Sequence, residues 1–129
     1  MEESLLNCNP TRQQIFNHVC KHLAEQKKQC VDPATGECRY RYQGLSCAVG
    51  SLFIDEDYDP EMDARNLSAR PLIEHWFPAA FRVAALCHDL QMAHDSWVGA
   101  EALRVRLKAI AKHYKLNPEA ANLITEWEL

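Results

Sequence analysis

Three long stretches of this chain repeat apolar residues every three or four positions, and that period limits the fold more than any other feature. Ile15, Phe16, Val19, Cys20 and Leu23 share one stripe of a helix predicted over residues 12–28. Thr11 and Gln14, three positions apart, form a capping box at its start. Val83, Leu86, Cys87, Leu90 and Ala93 mark a second helix over 79–95, and Leu103, Leu107, Ile110 and Tyr114 a third over 98–114. Asp59-Pro60 reads as the start of a short helix reaching 67, Pro71 opens another that ends at Phe77 before Pro78, and Asn117-Pro118 opens a last one expected to bury Leu123, Ile124 and Trp127.

The helical period breaks once, near the middle. After a turn at Asp32-Pro33-Ala34-Thr35-Gly36, residues 38–42 alternate. Cys38, Tyr40 and Tyr42 point one way and Arg39 and Arg41 the other, as in a half-buried strand. In the segment 45–53, Leu45, Ala48, Val49, Leu52 and Phe53 favour a short buried helix capped by Ser46 over a second hairpin strand, with Gly50 allowing close approach of a neighbour. The expected fold is mainly α (α+β). Five to seven helices pack around a small strand or hairpin near residues 37–44, in a single domain over 1–129 with a loose lead-in at 1–10.

A chain of 129 residues with 47% hydrophobic content supports one core. The net charge of −4 speaks against a general nucleic-acid binder, and no apolar run approaches the roughly 20 residues that span a bilayer. The opening Met1-Glu2-Glu3-Ser4 is acidic where a signal peptide is basic, so the six cysteines are expected as reduced thiols in a cytoplasmic protein. Cys20 and Cys87 lie on apolar stripes, whereas Cys8 and Cys30 fall in the lead-in and a loop, where exposed thiols oxidise. Trp76-Phe77 is a candidate anchor for a partner, though such a pair more often packs in a core.

Charge is segregated. Asp55, Asp57 and Asp59, with Glu56, Glu61 and Asp63, make an acidic segment. Its first three acids match a calcium loop, but Pro60 replaces the required glycine and Asn66 the bidentate glutamate, so a solvated acidic surface is expected. Arg104, Arg106, Lys108, Lys112 and Lys115 form a basic stretch, the wet side of a helix with its cations toward the C-terminal end. The two patches are candidate binding surfaces and could pair within the fold or across a homodimer. His18 and His22 stack on one helix face, but two ligands do not make a zinc site and no Cys-x-x-Cys occurs, so neither metal nor cofactor is expected. The dyads His88-Asp89 and His94-Asp95 echo helical phosphohydrolases, yet no later aspartate completes that ligand set.

One catalytic arrangement is conceivable. A helix capped by Ser46 would put Cys47 in its first turn, where the dipole favours a thiolate. His94, oriented by Asp95, could then serve as base in a thiol hydrolase or acyl transferase. Against this, free cysteine is usually buried packing and an edge histidine usually a strut.

Cys38-Arg39-Tyr40-Arg41, Gly44-Leu45-Ser46-Cys47-Ala48-Val49-Gly50, Tyr58-Asp59-Pro60-Glu61-Met62 and Leu90-Gln91-Met92-Ala93-His94-Asp95 followed by Trp97 together resemble a group of small uncharacterised proteins of bacteriophages, prophages and bacterial genomes. The resemblance runs from residue 12 to about 115 and brings no catalytic or binding residue with it. It implies an accessory factor that binds and modulates a host component. With no phosphate loop or nucleophile elbow present, the sequence favours a non-enzymatic interaction module with a host or phage protein as partner. The Cys47/His94 enzyme is the alternative. A nucleic-acid accessory protein, using the 104–115 helix with Tyr40 and Tyr42 as stacking surfaces, comes third.

Overall fold

The computed structural model describes residues 3–96 and 99–128. Five α-helices are present among them: α1 (Arg12–Gln26), α2 (Glu61–Ala64), α3 (Ala69–Trp76), α4 (Ala84–Ser96) and α5 (Ala100–His113). Four two-residue strands, β1 (Val31–Asp32), β2 (Glu37–Cys38), β3 (Arg41–Tyr42) and β4 (Leu45–Ser46), pair antiparallel as β1 with β2 and β3 with β4. The protein is therefore mainly α with a small β element. No helix among the described residues is long and apolar enough to cross a membrane.

α1 begins as its sequence dictates. The Thr11 hydroxyl accepts the Gln14 N–H, and the Gln14 side chain accepts the Thr11 N–H in return. The helix stops at Lys27, whose φ of 66° is left-handed and whose N–H closes onto the Leu23 carbonyl. Its stripe packs against α4, the 3-10 turn Val49–Leu52 and the 3-10 turn Glu119–Leu123. Ile15, Phe16, Val19, Cys20 and Leu23 are all fully buried. α4 contributes Leu86, Cys87, Leu90 and Ala93 to the same core, and α5 adds Leu103, Leu107 and Ile110. The expected start of α5 at Val98, and Trp97, lie outside the described residues.

The middle segment differs from expectation. Residues 38–42 are not one strand: β2 and β3 belong to different ladders, with Tyr40 in a bend between them. The cause is Asp63, whose carboxylate accepts the N–H groups of both Tyr40 (2.8 Å) and Arg41 (3.3 Å) and so removes them from any ladder. Residues 45–53 are not one helix either. Gln43 (φ 44°) and Gly44 (φ 82°) both take positive φ, the two-residue hairpin loop that turns β3 into β4. That pairing uses the backbone of Leu45 and Ser46, and only Val49–Leu52 winds, as a 3-10 turn.

Other departures have similar local causes. The lead-in is held: Leu6 is fully buried, and the Ser4 hydroxyl accepts the Ile54 N–H at 2.9 Å while donating to Asp57. Cys30, expected in an exposed loop, is fully buried. The helix expected from 79 begins as a 3-10 stretch, Pro78–Val83. The short helices run Glu61–Ala64 and Ala69–Trp76, and the last helix is the single 3-10 turn Glu119–Leu123. That turn buries Ala121 but leaves Leu123 54% exposed, with Ile124 and Trp127 buried beyond it. Phe77 is core, stacked on Phe53 at 5.4 Å.

Candidate functional site

α4 supplies the polar residues of the interior. Gln91, His94 and Asp95 occupy positions i, i+3 and i+4, so they sit together on its last turns. The Asp95 Oδ1 accepts the Gln91 side-chain amide at 2.8 Å and the His94 Nδ1–H at 2.7 Å. The tautomer is fixed from the far side of the ring: the Cys30 backbone N–H donates to His94 Nε2 at 3.0 Å, so Nε2 holds the lone pair and Nδ1 the proton. Gln91 Oε1 in turn accepts the Val49 N–H at 2.9 Å. The Gln29 side chain donates to the main-chain carbonyls of His94 and Asp95. One polar chain thus ties α4 to the β1 entry and to the 49–52 turn.

This arrangement does not supply what the alternative thiol-catalyst reading needs. Cys47 does not sit in the first turn of an α-helix: it precedes the 3-10 turn, and its sulfur accepts the Gly50 N–H at 3.2 Å. It is fully buried, and burial pushes its thiol well above the ordinary value, outweighing the opposing Gly50 bond. Both His94 ring nitrogens are already engaged, by Asp95 and by Cys30, so the ring has no free lone pair for a thiol proton. Asp95 does orient His94, as the sequence suggested, but toward a structural bond.

A different thiol meets this pair. Cys38 on β2 stands beside Asp95, and the donor atoms of Cys38, His94 and Asp95 all lie within 4.8 Å of one another. His94 is buried, while Cys38 and Asp95 are half-buried and line a cleft of about 200 Å³ with Tyr40, Asp63, His88 and Gln91. Burial, reinforced by the Asp95 carboxylate, pushes the Cys38 thiol up to about 12, so it stands as a neutral thiol. Sequence spacing alone does not bring Cys38 to α4. Cys38 stands more than fifty residues before Gln91, His94 and Asp95, and no motif in the sequence links them.

The charged candidates divide by what they touch. Asp55 faces the Arg41 guanidinium, Asp57 accepts the Ser4 hydroxyl, and Asp59 accepts the Glu61 N–H at 2.9 Å, so all three have partners within the chain. Arg41 also donates to the carbonyls of Gly50 and Phe53 and lies 5.1 Å from the Phe53 ring centroid. On α5, Arg104 is drawn inward to the Ile124 carbonyl, whereas Arg106, Lys108 and Lys112, and Lys115 just beyond the helix, are exposed. Between these cations Val105 is 64% exposed and heads a shallow groove with Ala102, Ala109 and Gly99. Tyr40, a stacking surface in the nucleic-acid reading, is buried, with its hydroxyl donating to the Leu67 carbonyl at 2.7 Å. His18 and His22 are struts: each places Nε2 on a main-chain carbonyl, Ser51 at 2.8 Å and Ser46 at 2.9 Å.

No protein-family model, no curated protein and no solved structure matches the chain. The class that can be stated is that of the fold, a mainly α protein with two small hairpins.

Proposed function

We propose that the chain is a non-enzymatic protein-interaction module, an accessory protein of the kind its resemblance to phage and prophage proteins implies, which binds a host or phage protein through the outer face of α5. One observation carries this reading. Val105, 64% exposed, sits in a largely apolar groove with Ala102 and Ala109 that Glu101 and Arg106 also line, and the exposed Lys108 and Lys112 follow on the same helix. An apolar centre within a charged rim is the anatomy of a protein-docking patch, and the cations suit a partner segment that carries acids around its own apolar stripe. The Cys47/His94 alternative lacks comparable support, because both groups are engaged elsewhere.

The test is capture from the native host with the wild-type chain and with Val105→Asp, scoring the proteins that differ. Val105 packs against nothing in the core, so the substitution should shift stability by less than about 0.5 kcal/mol. A partner retained by the wild type and lost with Val105→Asp or Lys108→Glu supports the reading. Identical captures from all three would overturn it.

A further inference from the structure

We propose that Cys38, His94 and Asp95 form a site for one thiophilic divalent cation of the zinc class, reached through the cleft between β2 and α4. This goes beyond the interaction reading and does not depend on it. The sulfur, imidazole and carboxylate donors lie within 4.8 Å of one another. Tetrahedral ligands at zinc bond lengths stand about 3.3–3.8 Å apart, so closure needs side-chain shifts on the order of 1 Å. The mixed S, N, O set suits zinc or cobalt and not magnesium or calcium, which take oxygen alone. Thiolate and carboxylate together cancel the cation's two charges, which matters where one ligand is wholly buried and two are half-buried. Outer bonds are already in place: Gln91 holds Asp95 Oδ1, and Gln29 holds the main chain of His94 and Asp95. Cys38 and Asp95 line the cleft, so an ion enters from that side and a cleft water completes the tetrahedron.

The protons balance without any redox change. The Cys38 S–H bond breaks, sulfur bonds the cation, and that proton leaves to solvent through the cleft. The imidazole stays neutral: its Nδ1 lone pair goes to the cation and its proton moves to Nε2. That nitrogen then no longer accepts the Cys30 N–H, now 3.0 Å away. The site gives up the Nδ1–H bond to Asp95 as well as the Cys30 bond and turns the Nε2–H toward the Cys30 N–H, so the ring must shift, and three metal–ligand bonds offset that cost. Binding therefore releases one proton per ion and frees the Cys30 amide.

The experiment is a titration of the reduced, metal-stripped full chain with Co²⁺, in wild type and in a Cys8→Ser background that removes the exposed thiol. The expected result is a sulfur-to-cobalt charge-transfer band that saturates at one equivalent and is bleached by Zn²⁺. Cys38→Ala should abolish the band while its far-UV circular dichroism stays unchanged. Asp95→Asn, which leaves the thiol in place, should weaken Co²⁺ binding on the order of tenfold or more. Amide exchange at Cys30 should accelerate when Zn²⁺ is added. Absence of the band, or an equal band in Cys38→Ala, overturns the site. Cys30 exchange unchanged by Zn²⁺ removes His94 from the ligand set and overturns the three-donor geometry.

Discussion

Gly50 marks the tightest point between the hairpins and the 3-10 turn. A Cβ placed there would lie 2.3 Å from the Tyr40 carbonyl oxygen and 3.1 Å from its carbon, both backbone atoms that Asp63 and the Tyr40 hydroxyl bond hold in place. Gly50→Ala should therefore destabilise the protein by about 1–3 kcal/mol, read as a lower urea midpoint with an unchanged slope. The neighbouring Cys47 obeys the same packing. Its sulfur lies 3.3 Å from the hypothetical Cβ and is enclosed, whereas Cys8 is exposed. Iodoacetamide under native conditions should label Cys8 first and leave Cys20, Cys30, Cys47 and Cys87 to a slow phase limited by opening of the fold. Fast, selective labelling of Cys47 would restore the thiol-nucleophile reading. Single residues thus explain why a thiol that looked reactive from its neighbours in sequence is enclosed.

At the scale of elements, α1 acts as a clamp. His18 and His22, one turn apart, hold the carbonyls of Ser51 and Ser46 and so pin β4 and the 3-10 turn to the helix. Burial lowers the His22 value from the ordinary 6.5, against the opposing Ser46 bond, so the folded state favours the neutral ring. A histidine lowered on folding contributes stability above the unfolded value that is lost as pH falls through the folded one, because the unfolded chain then binds the extra proton. Urea midpoints should accordingly fall as pH drops below about 6.5, and His22→Gln should flatten that part of the profile. A profile unchanged by the substitution would put the acid sensitivity elsewhere. The same elements show what the sequence revealed. α1, α4 and α5 were legible because their stripes repeat over three or more turns, leaving one face to bury. Residues 45–53 were not, since the spacing of Leu45, Ala48, Val49, Leu52 and Phe53 favours a helix over a hairpin only weakly in so short a run. The decision fell to positive φ at Gln43 and Gly44 and to the reach of Asp63, a contact across the fold that no local period encodes. The meeting of Cys38 with Asp95 was hidden for the same reason.

On the scale of the whole molecule, both flanking segments close onto the α1–α4 core, while among the described residues the Val105 side of α5 is exposed. The lead-in inserts Leu6 and bonds Ser4 to the 54–57 segment. At the other side, the Glu128 N–H reaches the Lys27 carbonyl at 2.7 Å, and Trp127 lies edge-on to the His94 ring at 6.1 Å. Trp127 is 8% exposed, so it shields the imidazole that is held by Asp95 within α4 and joins that helix to Cys30. Removing the indole takes away apolar packing and admits water to that polar chain, which competes for its bonds. Trp127→Ala should cost about 3 kcal/mol in urea denaturation and speed amide exchange at Cys30 more than at Leu107 on α5. Val105→Asp on the free side of α5 should leave both measurements unchanged, since that side chain is outside the core. Equal acceleration at Cys30 and Leu107 would mean that Trp127 supports the core as a whole; acceleration confined to Cys30 assigns it to the His94 chain, leaving stability and the α5 surface to vary independently.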